Sequence, residues 1–224
     1  MFFHVETPAL TEPRLFAALQ PELARWFKSR FRHFAPAQRL AVPEILAGRS
    51  VLLSSPTGSG KTLAAFLGVF DHLGRRHAAG ETPAGIVAVY VSPLRALAYD
   101  LRKNLQQPLD ELGWSWLRVG ARTGDTTAKE RAAQRRKPPH ILVTTPESLT
   151  LLLSQAGWLA ALRSVRFLIV DELHALAENK RGALLMVGAE RLQEVCAAPP
   201  IRIGLSATVA PLETVAEFLA GPGR

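Results

Sequence analysis

The run Thr57-Gly58-Ser59-Gly60-Lys61-Thr62 combines glycines, hydroxyls and a lysine at the spacing of a loop that wraps phosphate. Gly58 and Gly60 let the backbone curl so that successive N–H groups point into one concavity, and the following helix start adds positive potential. Lys61 can then reach the terminal phosphates, and the Thr62 hydroxyl can ligate Mg²⁺. The strict pattern, glycine then four residues then Gly-Lys-Ser/Thr, fails at its first position, which is Ser55. Context favours the phosphate reading over a chance glycine turn: Val51-Leu52-Leu53 reads as a strand before the loop, and a helix opens near Lys61.

A magnesium site needs a second anchor at the C-terminal end of a neighbouring strand, where α/β sheets bind ligands. Phe167-Leu168-Ile169-Val170 is such a strand, and Asp171-Glu172 emerge from it. Asp171 is expected to hold Mg²⁺ through water, while Glu172 orients and deprotonates the attacking water. Alone, an Asp-Glu pair is more often a solvated turn. Paired with Lys61, the catalytic reading takes precedence.

Elements that position these residues follow a regular alternation. Short β-branched runs at 50–54, 86–91, 117–120, 140–144, 166–170 and 201–205 read as strands. Amphipathic stretches at 61–77, 94–109, 126–136, 147–154, 182–196 and 211–219 read as helices, with 12–31 and 36–47 as two more upstream. Several strands are apolar almost without interruption, as in a mostly parallel sheet with helices on both faces. The fold class is α/β.

Composition sets the outer limits. The 224 residues carry a net charge of +8, which favours an anionic partner, nucleic acid first. Cys196 is the single cysteine, so no internal disulfide can form and a reducing, cytoplasmic setting is expected. No apolar run is long enough to span a bilayer, and residues 1–6 lack the character of a signal peptide.

Asp171-Glu172-Leu173-His174 is followed by Ser206-Ala207-Thr208, again after an apolar strand. With the phosphate loop, these residues resemble the first RecA-like motor domain of a superfamily 2 helicase of the DExH group. Residues 171–176, Lys180-Arg181-Gly182 and 204–209 are similar to the spellings of the Lhr (large helicase-related) type, nearest to its bacterial branch associated with DNA ligase. Leu173 stands where isoleucine is more usual. The resemblance implies a RecA-like P-loop NTPase fold, ATP and Mg²⁺ as cofactors, and Gln38 as a reader of adenine. A carboxamide suits that task, since it both donates and accepts. It also implies that His174, Ser206 and Thr208 couple the ATP site to the rest of the motor, against the plainer reading of His174 as a core histidine.

For nucleic acid, the resemblance singles out Pro93 and Arg95 in 92–97, Thr123 and Gly124 in 123–125, and Thr145 and Pro146. These positions begin where strands end, so their N–H groups and hydroxyls can meet phosphates along one rim. Such contacts read the backbone and leave DNA and RNA both open. A denser basic cluster, Arg118 to Lys137, reads equally as a solvated helix face.

One domain spanning 1–224 is expected: a helical segment at 1–48 carrying Gln38, then an α/β core at 49–221. Helicases of this superfamily use two such domains, the second supplying an arginine to the departing phosphate. Residues 209–224 are too few to form it. The expected function is the N-terminal motor of an ATP-dependent helicase on single-stranded DNA, 3′–5′ and in repair, with little turnover by itself. Its alternatives are a nucleotide- and nucleic-acid-binding module without useful turnover, and an RNA helicase domain.

Overall fold

The computed structural model describes residues 10–177, 179–208 and 211–221. The readings of residues 1–6, of Val209 and of the terminal Pro222-Gly223-Arg224 lie outside the described residues. Along the chain run α1 (Glu12–Ala18), α2 (Pro21–Phe31), α3 (Pro36–Leu46), β1 (Val51–Ser54) and α4 (Lys61–Ala78). Next come β2 (Ala88–Val91), α5 (Arg95–Glu111), β3 (Val119–Arg122), α6 (Ala128–Arg136), β4 (Ile141–Thr144) and α7 (Pro146–Leu153). The chain continues through α8 (Ala156–Leu162), β5 (Phe167–Val170), α9 (Leu173–Ala177), α10 (Lys180–Val195), β6 (Ile201–Ser206) and α11 (Leu212–Ala220). It divides into two compact units, Met1–Thr82 with Ile201–Arg224, and Pro83–Pro200.

In the first unit β1 and β6 pair in parallel, Val51 opposite Ile203 and Ser54 opposite Ser206. Helix α3 lies so close to α4 that a Cβ at Gly68 would stand 2.2 Å from Ile45 Cγ2, which explains a glycine in mid-helix despite its cost there. Asp71 in α4 is buried and accepts from the Gln20 amide, while Arg75 bonds both Asp71 (2.7 Å) and the Ala18 carbonyl (2.6 Å). These bonds latch the α1–α2 corner onto α4. Phe27 stacks on Phe34 at 4.2 Å, which fixes the approach to α3. Arg202 is buried in β6 and closes α11, donating to the Leu219 and Ala220 carbonyls at 3.1 Å each.

In the second unit β2 lies between β4 and β5, and β3 pairs with β4, all in parallel. Every residue of β2, β4 and β5 is buried, as the continuous apolar runs require of strands covered on both faces. Cys196 caps α10, where burial pushes its thiol up to about 11. Among the described residues no helix is long and apolar enough to cross a membrane.

Two expectations are corrected, and two short helices are added. Residues 12–31 form two helices, because Pro21 holds Gln20 out of the helical region (φ −54°, ψ 135°). The strand expected at 117–120 is β3, two residues later, since Leu117 N–H bonds the Trp114 carbonyl (3.0 Å) and closes a turn first. Helices α8 and α9 were not anticipated: at seven and five residues they are too short to show a helical period.

Candidate functional site

The phosphate loop leaves β1 at Ser54. Its helix is capped by Gly60, which is left-handed at φ 83°, and Gly58 is left-handed at φ 78°. Both glycines are therefore required by backbone geometry. Ser55 has no positive φ, so the departure from the strict pattern costs the loop nothing. Its hydroxyl bonds that of Ser59 at 2.7 Å. Lys61 Nζ donates to the carbonyls of Ser55 and of Pro56 (2.8 Å), winding the ammonium against its own loop.

The loop's base is tied to the strand carrying Ser206. Ser55 N–H donates to the Ser206 carbonyl at 3.2 Å, and Ser54 Oγ donates to the Ala207 carbonyl at 3.2 Å. Gln38 is buried beside the same loop. Its Oε1 accepts from Ala35 N–H at 2.9 Å, and its Nε2 donates to the Gly60 carbonyl at 3.3 Å. A carboxamide has two donors and two lone pairs, so one of each is left over.

In the second unit the strand register aligns the ends. Val91 lies opposite both Thr144 and Val170, and Thr144 lies opposite Arg122. The segments beginning at Ser92, Thr123, Thr145 and Asp171 therefore all leave one edge at one level. Asp171 accepts from the Tyr90 hydroxyl through Oδ2 and from Glu172 N–H through Oδ1 (2.9 Å). Glu172 is held at φ 47°, a left-handed conformation that a non-glycine residue adopts at a cost of about 1 kcal/mol. His174 Nε2 stands 3.3 Å from Glu172 Oε2, both side chains about one-third exposed.

Along the rim, Arg95 pairs with Asp125 at 3.1 Å, and its guanidinium lies over Gly124, where a Cβ would stand 3.1 Å from Cζ. Arg131 donates to the carbonyls of Thr126 (2.8 Å) and Gly124 (2.9 Å), which fixes that turn. Thr123 and Thr145 are both buried. The Thr123 hydroxyl accepts from Asp125 N–H at 3.3 Å, and the Thr145 hydroxyl caps α7 by accepting from Ser148 N–H at 3.4 Å. The side chains of these threonines shape their loops, which leaves Arg95 and the Gly124 backbone as the exposed groups. Pro93 is buried and its carbonyl accepts from Arg181 at 2.8 Å. Pro146 opens α7 as its first residue.

Within the first unit the fold thus gathers Gln38, the loop Thr57–Thr62 and Ser206, with Thr208 exposed two residues further on. Within the second it gathers Asp171, Glu172 and His174 on the edge that carries the nucleic-acid candidates. Tyr90 was not singled out from sequence. Its signal is a hydroxyl inside an otherwise apolar strand, which must find a polar partner when buried.

A glycine loop between strand and helix, on parallel strands buried by helices, defines a P-loop nucleotide-binding domain of RecA-like fold. The chain belongs to the DEAD/DEAH box helicase family, whose pattern it matches over residues 35–218. It is 47% identical over 220 residues to the ATP-dependent helicase Lhr-Core protein 2 of Thermococcus barophilus, covering 94% of this chain and 25% of that protein. To the Lhr helicase/probable uracil glycosylase of Mycolicibacterium smegmatis it is 46% identical, covering 92% of this chain and 14% of that one. The structure of Mycobacterium smegmatis helicase Lhr bound to ssDNA and AMP-PNP superposes with a TM-score of 0.84 at 44% identity, over 92% of this chain and 27% of that chain. The chain thus spans about a quarter of the length of the first relatives it matches.

Proposed function

We propose that this chain is the ATP-binding motor domain of a helicase or translocase that moves 3′–5′ along single-stranded DNA, in a repair setting. The single observation that carries the reading is the common level of the strand ends: Asp171 and Glu172 leave the same edge as the loops at Pro93, Gly124 and Thr145. Residues suited to hydrolysis and residues suited to a phosphate backbone therefore share one rigid frame. The Lhr helicase structure solved with ssDNA and AMP-PNP supports both ligands for this chain.

In this reading Gln38 takes the adenine, and Thr57 to Thr62 wrap the phosphates with Lys61 as the counter-charge. The Thr62 hydroxyl and the Asp171 carboxylate are hard oxygen donors, which suits Mg²⁺. When bound, Mg²⁺ neutralises charge on the terminal phosphates. Tyr90 fixes the rotamer of Asp171. Glu172 accepts the proton of the attacking water, and His174 orients its carboxylate. Ser206, beside the loop base, and Thr208 couple the site to the remainder of the motor. A second RecA-like domain supplies the arginine that completes turnover.

The test is ATP hydrolysis with and without single-stranded DNA, by this chain and by a longer protein that includes a second such domain. The longer protein is expected to show stimulated turnover and this chain little. Glu172→Gln in the longer protein should lower kcat by about a hundredfold or more while ATP still binds, because an amide cannot accept the water's proton. Normal turnover by that variant contradicts the assignment. Competition between matched DNA and RNA strands decides the substrate.

A further inference from the structure

Lys180-Arg181-Gly182 has no role in the nucleotide chemistry above, yet Arg181 makes more polar contacts across the rim than any residue assigned to it. Its Nε donates to Glu147 Oε1 at 2.5 Å, and its Nη2 donates to Glu147 Oε2 at 3.2 Å and to the Pro93 carbonyl at 2.8 Å. One planar fork therefore joins three chain segments: the loop after β2, the first turn of α7 and the first turn of α10. The Arg181 end is itself fixed, since Asn179 Oδ1 accepts from the N–H groups of Arg181 (2.9 Å) and Gly182 (3.1 Å).

We propose that Arg181 is a positioning residue for nucleic acid, a clamp that sets the loop at Pro93 and the α7 start at Thr145–Pro146 in one register along the rim. The inference rests on the rim being a backbone-binding surface, as proposed above. Two observations give the clamp this role. Glu147 sits in the first turn of α7, where its carboxylate competes with a phosphate for the positive helix end, and the arginine fork draws that carboxylate aside. The two side chains are 43% and 46% exposed, so the ion pair contributes only about 0–1 kcal/mol to stability, and its geometry serves something other than the core. In agreement, the pairing holds Glu147 below the usual carboxylate range and raises Arg181. A lysine places one point charge where three directed bonds are needed.

The experiment compares the wild-type chain with R181K and with the charge-neutral double variant R181Q/E147Q. Oligo-dT affinity is measured across a salt series, with affinity for a fluorescent ATP analogue and the melting temperature on the same samples. Both variants are expected to bind oligo-dT about tenfold more weakly, with melting temperature and nucleotide affinity unchanged. The slope of log K against log salt should also stay unchanged, because Arg181 does not itself neutralise a phosphate. Wild-type oligo-dT binding by both variants overturns the clamp. A slope reduced by about 0.7 in the double variant overturns it too, making Arg181 a direct phosphate ligand. If the wild-type chain binds no oligo-dT at any salt, the nucleic-acid reading itself is wrong and the clamp falls with it.

Discussion

The side-chain amide of Gln38 donates to the backbone carbonyl of Gly60, 3.3 Å away, so a helix far upstream in sequence holds the phosphate loop at its hinge. A Cβ at residue 60 would stand 2.6 Å from Gln38 Nε2, and the residue is left-handed at φ 83°. The loop's backbone and the Gln38 side chain are thus one packed unit.

From this contact follows a split prediction for Gln38→Ala. It should weaken ATP about tenfold while weakening CTP or UTP less, since only adenine uses the lost carboxamide. Stability should fall by about 1 kcal/mol for the buried hydrogen bonds at Ala35 and Gly60. Titrations with the four nucleoside triphosphates, beside urea melts, check both. Equal losses for all four would make Gln38 a loop brace only.

Tyr90 and Asp171 give the second prediction. Tyr90→Phe removes the hydroxyl that fixes the Asp171 carboxylate and leaves the buried ring in place. The concentration of Mg²⁺ that half-saturates nucleotide binding should rise several-fold, while nucleotide affinity without metal stays unchanged. Stability should fall by about 1 kcal/mol. An unchanged Mg²⁺ midpoint would remove Tyr90 from the site.

His140 supplies a pH dependence unrelated to catalysis. It is fully buried, accepts from Arg118 N–H at 3.2 Å, and is pushed down to about 4, first by burial and then by the Arg118 charge. The folded value lies below the unfolded one, so its contribution is present above about pH 6.5 and is lost as pH falls toward 4. Between pH 6.5 and 5 the chain should lose about 2 kcal/mol from this residue. His140→Gln, which can still accept from Arg118, should flatten that part of the profile in urea melts. An unchanged profile would place the acid sensitivity elsewhere.

Much of this was legible in the sequence because the signals are local. The phosphate loop, the Asp171-Glu172 strand end and the later strand with Ser206 each announce themselves through one short run of residue types. What was not legible depends on register or on packing between distant segments. The α1–α2 break is a proline effect hidden inside a helical period. The tie from Ser55 to Ser206 exists only because β1 and β6 pair. Thr123 and Thr145 looked like exposed hydroxyl donors, yet their strand-end positions bury them, Thr145 as the cap of α7 and Thr123 within its own turn. Arg181 stands in the sequence only as part of the Lys180-Arg181-Gly182 spelling, and its bonds to Pro93 and Glu147 depend on where α10 delivers it.

The proposed function requires that Lys61 and Thr62 serve the same metal-bound triphosphate as Asp171 and Glu172. Iron-directed cleavage tests it most directly: Fe²⁺ replaces Mg²⁺ beside a non-hydrolysable ATP analogue, and ascorbate with peroxide cuts the chain near the metal. Nucleotide-dependent cuts are expected both around residues 57–62 and around 171–172, and Asp171→Asn should weaken both. Cuts confined to one of these segments would contradict the shared site.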